Sequence, residues 1–173
     1  PRTDNRWVVS REITEEIAHL IRETIPSRES QLLGIDISFF YTSFGESWTN
    51  ALVGALKQCP FTPYFYAPSL TGGKAFEWMK NQRIGVFANL SISRTAALIH
   101  HSHICICGNT VYFRLADLLK KQSVALFDST QKETFFKQAP HLRAVSYHKK
   151  PDETTISAIC TALNDLAPGR DTA

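Results

Sequence analysis

The chain has 173 residues, 43% hydrophobic and 20% charged, a balance that excludes a disordered tract and is enough for one well-cored domain. Its formal charge is only +3, and its basic doublets, Lys120-Lys121 and Lys149-Lys150, stand apart, so nothing demands a nucleic-acid partner. No apolar run reaches the length of a membrane span and PRTDNRWVV lacks the form of a signal peptide, so a cytoplasmic protein is expected; a start at Pro1 suggests a piece of something longer.

In chain order, Ser10 reads as the N-cap of a helix with Ile13, Ile17, Leu20 and Ile21 on one side and Pro26 at its end. Gln31 to Phe40 is a nearly continuous apolar run of strand length, predicting a first strand covered on both faces. A polar corner is expected at Tyr41-Thr42-Ser43-Phe44-Gly45. A helix from about Ser47 to Lys57 then carries Trp48, Leu52, Ala55 and Leu56 inward. TPYFYAP predicts a second strand, Phe76, Trp78 and Met79 mark a helix, and Arg83 to Ala88 predicts a third strand.

From Asn89 to Asp128 the pattern is helix (Ile92 to His100, capped by Ser91), strand (Ile104 to Cys107), polar corner, helix (Tyr112 to Lys120) and strand (Val124 to Phe127). A sixth strand, Leu142 to Tyr147, leads past Pro151 into a last helix with Ile156, Ile159, Leu163 and Leu166 on one side. This alternation predicts an α/β fold: a three-layer, Rossmann-like, doubly wound and mostly parallel six-stranded sheet in the order 3-2-1-4-5-6. It would form one domain over 1–173, with a leading segment and helix to 30, a core at 31–168 and a tail at 169–173.

In such a sheet, ligands lie beyond the carboxyl ends of the strands at the switch between the first and fourth. The corner there, Gly108-Asn109-Thr110, opens a helix, and backbone N–H groups at a helix start favour an anion. The other loop expected to meet it is Tyr41 to Gly45.

Several motifs carry less than they first suggest. His100-His101-Ser102-His103 with Cys105 and Cys107 offers metal-ligand types, but strand alternation keeps them from one ion, and no metal is expected. The four cysteines read as free thiols, with Cys105 and Cys107 filling one face of the sheet. Thr71-Gly72-Gly73-Lys74 lacks phosphate-loop spacing, and Asp36, inside an apolar run, reads first as structural.

Leu90 to Thr130, LSISRTAALIHHSHICICGNTVYFRLADLLKKQSVALFDST, resembles the nucleotide-sugar half of the bacterial lipopolysaccharide heptosyltransferase family, two-domain GT-B glycosyltransferases. That family has a serine-capped Ala/Leu helix, a strand, an Asp-(Thr/Ser)-Gly-Pro-x-His corner, a helix, and a strand ending Val-Ala-Leu-Phe-Gly-Pro-Thr. Here Asn109, Val111, Tyr112 and Arg114 replace the corner's aspartate, glycine, proline and histidine, while Thr110 agrees. Asp128-Ser129 replaces Gly-Pro, and Thr130 remains. Glu46 falls near the family's basic residue.

The resemblance implies a donor domain of a sugar-transferring enzyme, lying in the cytoplasm or peripheral at the inner membrane, with no cofactor beyond a nucleotide diphosphate sugar as substrate. Gly108, Asn109, Thr110, Val111 and Arg114 would hold the diphosphate, with Thr42, Ser43 and Thr130 nearby. The acceptor half, with the catalytic base, would lie outside this chain, so no activity is expected from this chain alone. The alternative is a degenerate domain serving as an interaction or assembly module, with Phe39, Phe40, Tyr41, Phe44, Tyr112 and Phe113 as a partner surface at the switch point.

Overall fold

A computed structural model describes residues 9–25, 31–67, 73–130 and 140–167. In chain order the elements are α1 (Arg11–Thr24), β1 (Leu32–Asp36), α2 (Ile37–Leu56), β2 (Thr62–Ala67), α3 (Lys74–Asn81), β3 (Gly85–Ala88), α4 (Ile92–His101), β4 (Ile104–Cys107), α5 (Val111–Leu118), β5 (Gln122–Asp128), β6 (Leu142–Tyr147) and α6 (Glu153–Leu166). The strands pair in parallel in the order β3-β2-β1-β4-β5-β6, as the alternation of patterns predicts.

Strand alternation sorts the core into two layers. Leu33, Ile35, Phe65, Ile104, Ile106, Val124 and Leu126 face one way and pack with α2, α3 and α6 residues such as Leu52, Met79 and Leu163. Tyr64, Tyr66, Cys105, Cys107 and Ala125 face the other way, against Ile17, Leu98 and Ala116 of α1, α4 and α5. Burial on both faces explains why these strands are continuously apolar in sequence.

On the second face Gly34 lies between Tyr64 and Cys105 in register. Tyr64 Oη and Ser102 Oγ both donate to the Leu98 carbonyl, at 3.1 and 3.0 Å, and contact each other. All three groups are buried, so this knot satisfies polar atoms that water does not reach.

Helix starts follow their caps. Ser10 accepts from Ile13 N–H, Ser91 accepts from Arg94 N–H, and Asp152 and Thr155 form a reciprocal capping box. Pro26, Thr71 and Gly72 lie outside the described residues. Gly73 stands at the N-cap of α3 with φ +86°, a conformation that favours glycine.

The first strand is the main departure from expectation. It stops at Asp36, and Ile37 to Phe44, expected as strand and loop, forms the first two turns of α2. An apolar run does not separate a buried strand from a buried helical turn by periodicity, and the Asp36 cap decides for the helix. The predicted corner survives only as a kink at Gly45, with φ +78°, where α2 restarts. Thr42 and Ser43 are therefore exposed helical residues, not loop residues.

Candidate functional site

At the switch point β1 and β4 are neighbours, so the two helices that follow them begin side by side. Asp36 ends β1 and caps α2; Thr110 precedes α5. The Asp36 carboxyl is fully buried. One of its oxygens accepts from Ser38 Oγ at 2.9 Å and from Phe39 N–H at 3.4 Å, while the other accepts from Thr110 Oγ1 at 2.9 Å. One carboxyl thus joins the starts of both helices, the two places where backbone N–H groups favour negative charge.

Burial pushes the Asp36 carboxyl above its usual range, against the lowering effect of its hydrogen bonds to Ser38, Thr110 and Phe39. Its charge is felt nearby. Tyr112 is pushed up by burial and then by Asp36, and Tyr66 is pushed well up by burial, Cys107 and Asp36. Tyr66 Oη lies 3.1 Å from Cys107 Sγ, and Tyr112 packs edge-on to the Tyr66 ring.

Phe39 closes the corner from the other side. A Cβ placed on Gly108 would meet Phe39 ring atoms at 2.1 to 2.4 Å, so that ring lies directly on the Gly108 backbone. The ring is held edge-on to Phe40 and Phe44, with centroids 5.3 and 5.5 Å away. Glycine at 108 is needed to admit the ring, which occupies the place a side chain would take there.

The expected site residues divide accordingly. Gly108, Asn109, Thr110 and Val111 stand together at the start of α5, with Arg114 in its first turn, its guanidinium 5.9 Å from the Phe113 ring. Thr110 donates to Asp36 and makes no side-chain cap to α5. Thr42 and Ser43 lie along α2. Thr130 folds onto Asp128, whose Oδ1 accepts from its N–H and hydroxyl, both at 2.9 Å; these bonds hold the Asp128 carboxyl below its usual range.

Of the aromatics expected at an exposed rim, Phe40 and Phe113 are instead core residues, 0% and 1% exposed. Phe39, Tyr41, Phe44 and Tyr112 are half-buried, and Val111 is 50% exposed among them. Among the described residues no three His, Cys, Asp or Glu side chains converge as metal ligands. His103 Nδ1 accepts from Leu32 N–H at 2.9 Å, and His101 Nε2 lies 3.0 Å from the Thr14 carbonyl oxygen. A cavity of about 450 Å³ lies at the opposite ends of the strands, between Ile25, Lys57, Pro63 and Arg83.

Comparison with solved structures places this architecture. The chain superposes on Escherichia coli ADP-heptose lipopolysaccharide heptosyltransferase II with a TM-score of 0.67 and 14% identity, over 93% of this chain and 53% of that one. Its fold is of the heptosyltransferase type. A glycosyl transferase family 9 structure from Veillonella parvula gives a TM-score of 0.66 at 12% identity, covering 92% of this chain and 52% of its own. The heptosyltransferase-like GT-B domain expected from Leu90 to Thr130 is therefore the fold observed, and this chain spans about half the length of each of those structures. No protein-family model and no curated protein matches its sequence.

The link between Asp36 and Thr110 is what sequence reading missed. Its local half was available: an aspartate ending an apolar run, with Ser38 two residues on, is an N-cap signal. Its distant half, 74 residues along the chain, was not.

Proposed function

We propose that this chain is a heptosyltransferase-type donor domain whose diphosphate position is closed from within, and that it serves as a non-catalytic interaction module. The observation that carries this reading is the Phe39 ring seated on the Gly108 backbone. Two further features support it. Asp36 brings a buried carboxyl to the start of α5, and Thr110 already donates its hydroxyl to that carboxyl. Val111, where the resembling family has glycine, adds an exposed apolar side chain that suits a protein surface better than a phosphate.

The competing reading, retained nucleotide-sugar binding and sugar transfer within a longer protein, draws on the exposed Arg114 in the first turn of α5. A guanidinium there is placed to fork onto phosphate oxygens.

Calorimetric titration with ADP, UDP and their sugar conjugates separates the two. The wild-type chain is expected to give no saturable heat below millimolar ligand, with Arg114→Ala indistinguishable from it. Micromolar binding abolished by Arg114→Ala would establish the donor reading. The interaction role has its own readout in amide hydrogen exchange of this chain alone and within its native protein or complex. Added protection at 39–44 and 110–114 is expected in the assembly, and unchanged exchange there would remove the role.

A further inference from the structure

β6 is an outer strand of the sheet, paired with β5 on one side and with no described strand on the other. Its register fixes which backbone groups are left over. Ser123 N–H donates to the His141 carbonyl and Ser129 N–H to the Tyr147 carbonyl, at 2.9 and 2.8 Å, so residues 141, 143, 145 and 147 turn their backbone toward β5. Leu142, Ala144 and Ser146 turn theirs outward.

Not all of the outward groups are open. Arg143 folds back along the edge, and its Nη1 donates to the Leu142 carbonyl at 3.2 Å and to the Pro140 carbonyl at 3.1 Å. At the other end β6 stops at Tyr147, and Lys149 beyond it is left-handed, with φ +59°. Between these stops, the N–H and carbonyl of Ala144 and of Ser146 meet no hydrogen-bond partner among the described residues. Four backbone groups, placed evenly about Val145, are thus presented to another strand.

A groove of about 540 Å³ runs beside this edge, between β6 and α6. Val145 and Ala162 form its floor, and Ala158, Thr161 and Asp165 of α6 form its exposed wall. Ala158 and Thr161 are small enough for a second helix to come close. Asp165 has no cationic partner among the described residues, and Lys149 and Lys150 have no anionic one.

We propose that β6 is a homodimer interface: a second copy adds its own β6 antiparallel, across a two-fold axis through Val145, and the sheet continues from one copy into the other. Ala144 of each copy then faces the partner's Ser146, and each such pair exchanges two N–H to carbonyl bonds. All four open groups on each copy are used. The neighbouring registers fail: one opposes Ser146 to Leu142, whose carbonyl Arg143 occupies, and the other opposes Ala144 to His148, whose carbonyl accepts from Lys150 N–H.

The same rotation keeps both α6 helices on one face, side by side, and brings the partner's Lys149 and Lys150 toward Asp165. An unrelated extended segment would find the backbone groups but not these reciprocal charges, which is why the occupant is a second copy. The stops at both ends of β6 keep the pairing short and closed, giving a dimer and not a filament. The edge lies apart from the switch point, so the dimer stands whatever binds there.

Sedimentation velocity of the chain from about 5 to 500 μM tests this, with a monomer-to-dimer shift expected inside that range, as for a small contact. Residue-resolved amide exchange should show protection at Ala144 and Ser146 that grows with concentration, while Arg143 and Val145 are protected throughout. Ala144→Pro removes an outward N–H and leaves the β5 ladder whole, so self-association should weaken about tenfold or more. Thr161→Arg, on the exposed wall of α6, should weaken it without touching the strand. A chain that stays monomeric at about 500 μM overturns the proposal. So does a dimer that persists in both variants with Ala144 and Ser146 exchanging freely, or growth into species larger than a dimer.

Discussion

Gly34→Ala should lower stability by roughly 3 kcal/mol, the upper end of what overpacking a core costs. A Cβ at this position would meet Tyr64 Oη at 2.7 Å and Ser102 Oγ at 3.0 Å. Gly34 sits on β1, paired to strands on both sides, so the backbone has little freedom to withdraw. The methyl group must displace the buried phenol from the Leu98 carbonyl, leaving polar atoms unpaired where water does not reach.

A double-mutant cycle in urea checks the mechanism. Adding Tyr64→Phe removes the Oη that the new methyl would strike, so the double variant should be less destabilised than the sum of the singles by about 1 kcal/mol or more. Strict additivity would mean that the methyl group is accommodated elsewhere.

Asp36→Ala is expected to cost about 2 to 3 kcal/mol, because it removes the cap of α2 and leaves Thr110 without its buried acceptor. Asp36→Asn keeps an acceptor for Phe39 N–H and should cost less. The pH dependence of these variants identifies the cause. Burial raises the Asp36 carboxyl above the usual aspartate value of 3.8, so in the window just above that value the folded chain holds a proton that the unfolded chain has released. Its contribution to stability is complete below 3.8 and is lost as pH rises through the folded-state value.

The stability of wild type relative to Asp36→Asn should therefore fall as pH is raised from about 4 and then level off, since asparagine does not titrate and other groups cancel in the difference. Urea midpoints across this range measure it. A difference that grows with pH would mean that the hydrogen bonds from Ser38, Thr110 and Phe39 outweigh burial.

The sheet order was legible from the chain because each strand is an apolar run between helical patterns. Right-handed parallel crossovers leave few ways to arrange such an alternation. The placing of Cys105 and Cys107 on one face of the sheet follows from the two-residue period of a strand. The end of the first strand was not legible. Ile37 and Phe40 are as buried in α2 as they would be in a strand, and burial is all that an apolar letter records.

The corner itself was visible as Gly108-Asn109-Thr110, but its state was not. Phe39 and Asp36 reach it from far away in sequence, and no local pattern announces that a phenyl ring will lie on a particular glycine. The aromatic residues were countable in advance, yet which of them pack inward depends on α2 beginning at Ile37. Thr42 and Ser43, expected in a loop, are helical for the same reason.

That immediate passage from β1 into α2, with no residue between Asp36 and Ile37, also bears on how the protein can change. Doubly wound sheets diversify mostly through the length and composition of the segments at the carboxyl ends of their strands. Here one of the two facing segments has no residues of its own, so point substitutions have no loop to remodel. A related chain with a small-molecule pocket at this edge would be expected to form it by insertion after Asp36, and related sequences carrying extra residues there would be the first in which to look for one.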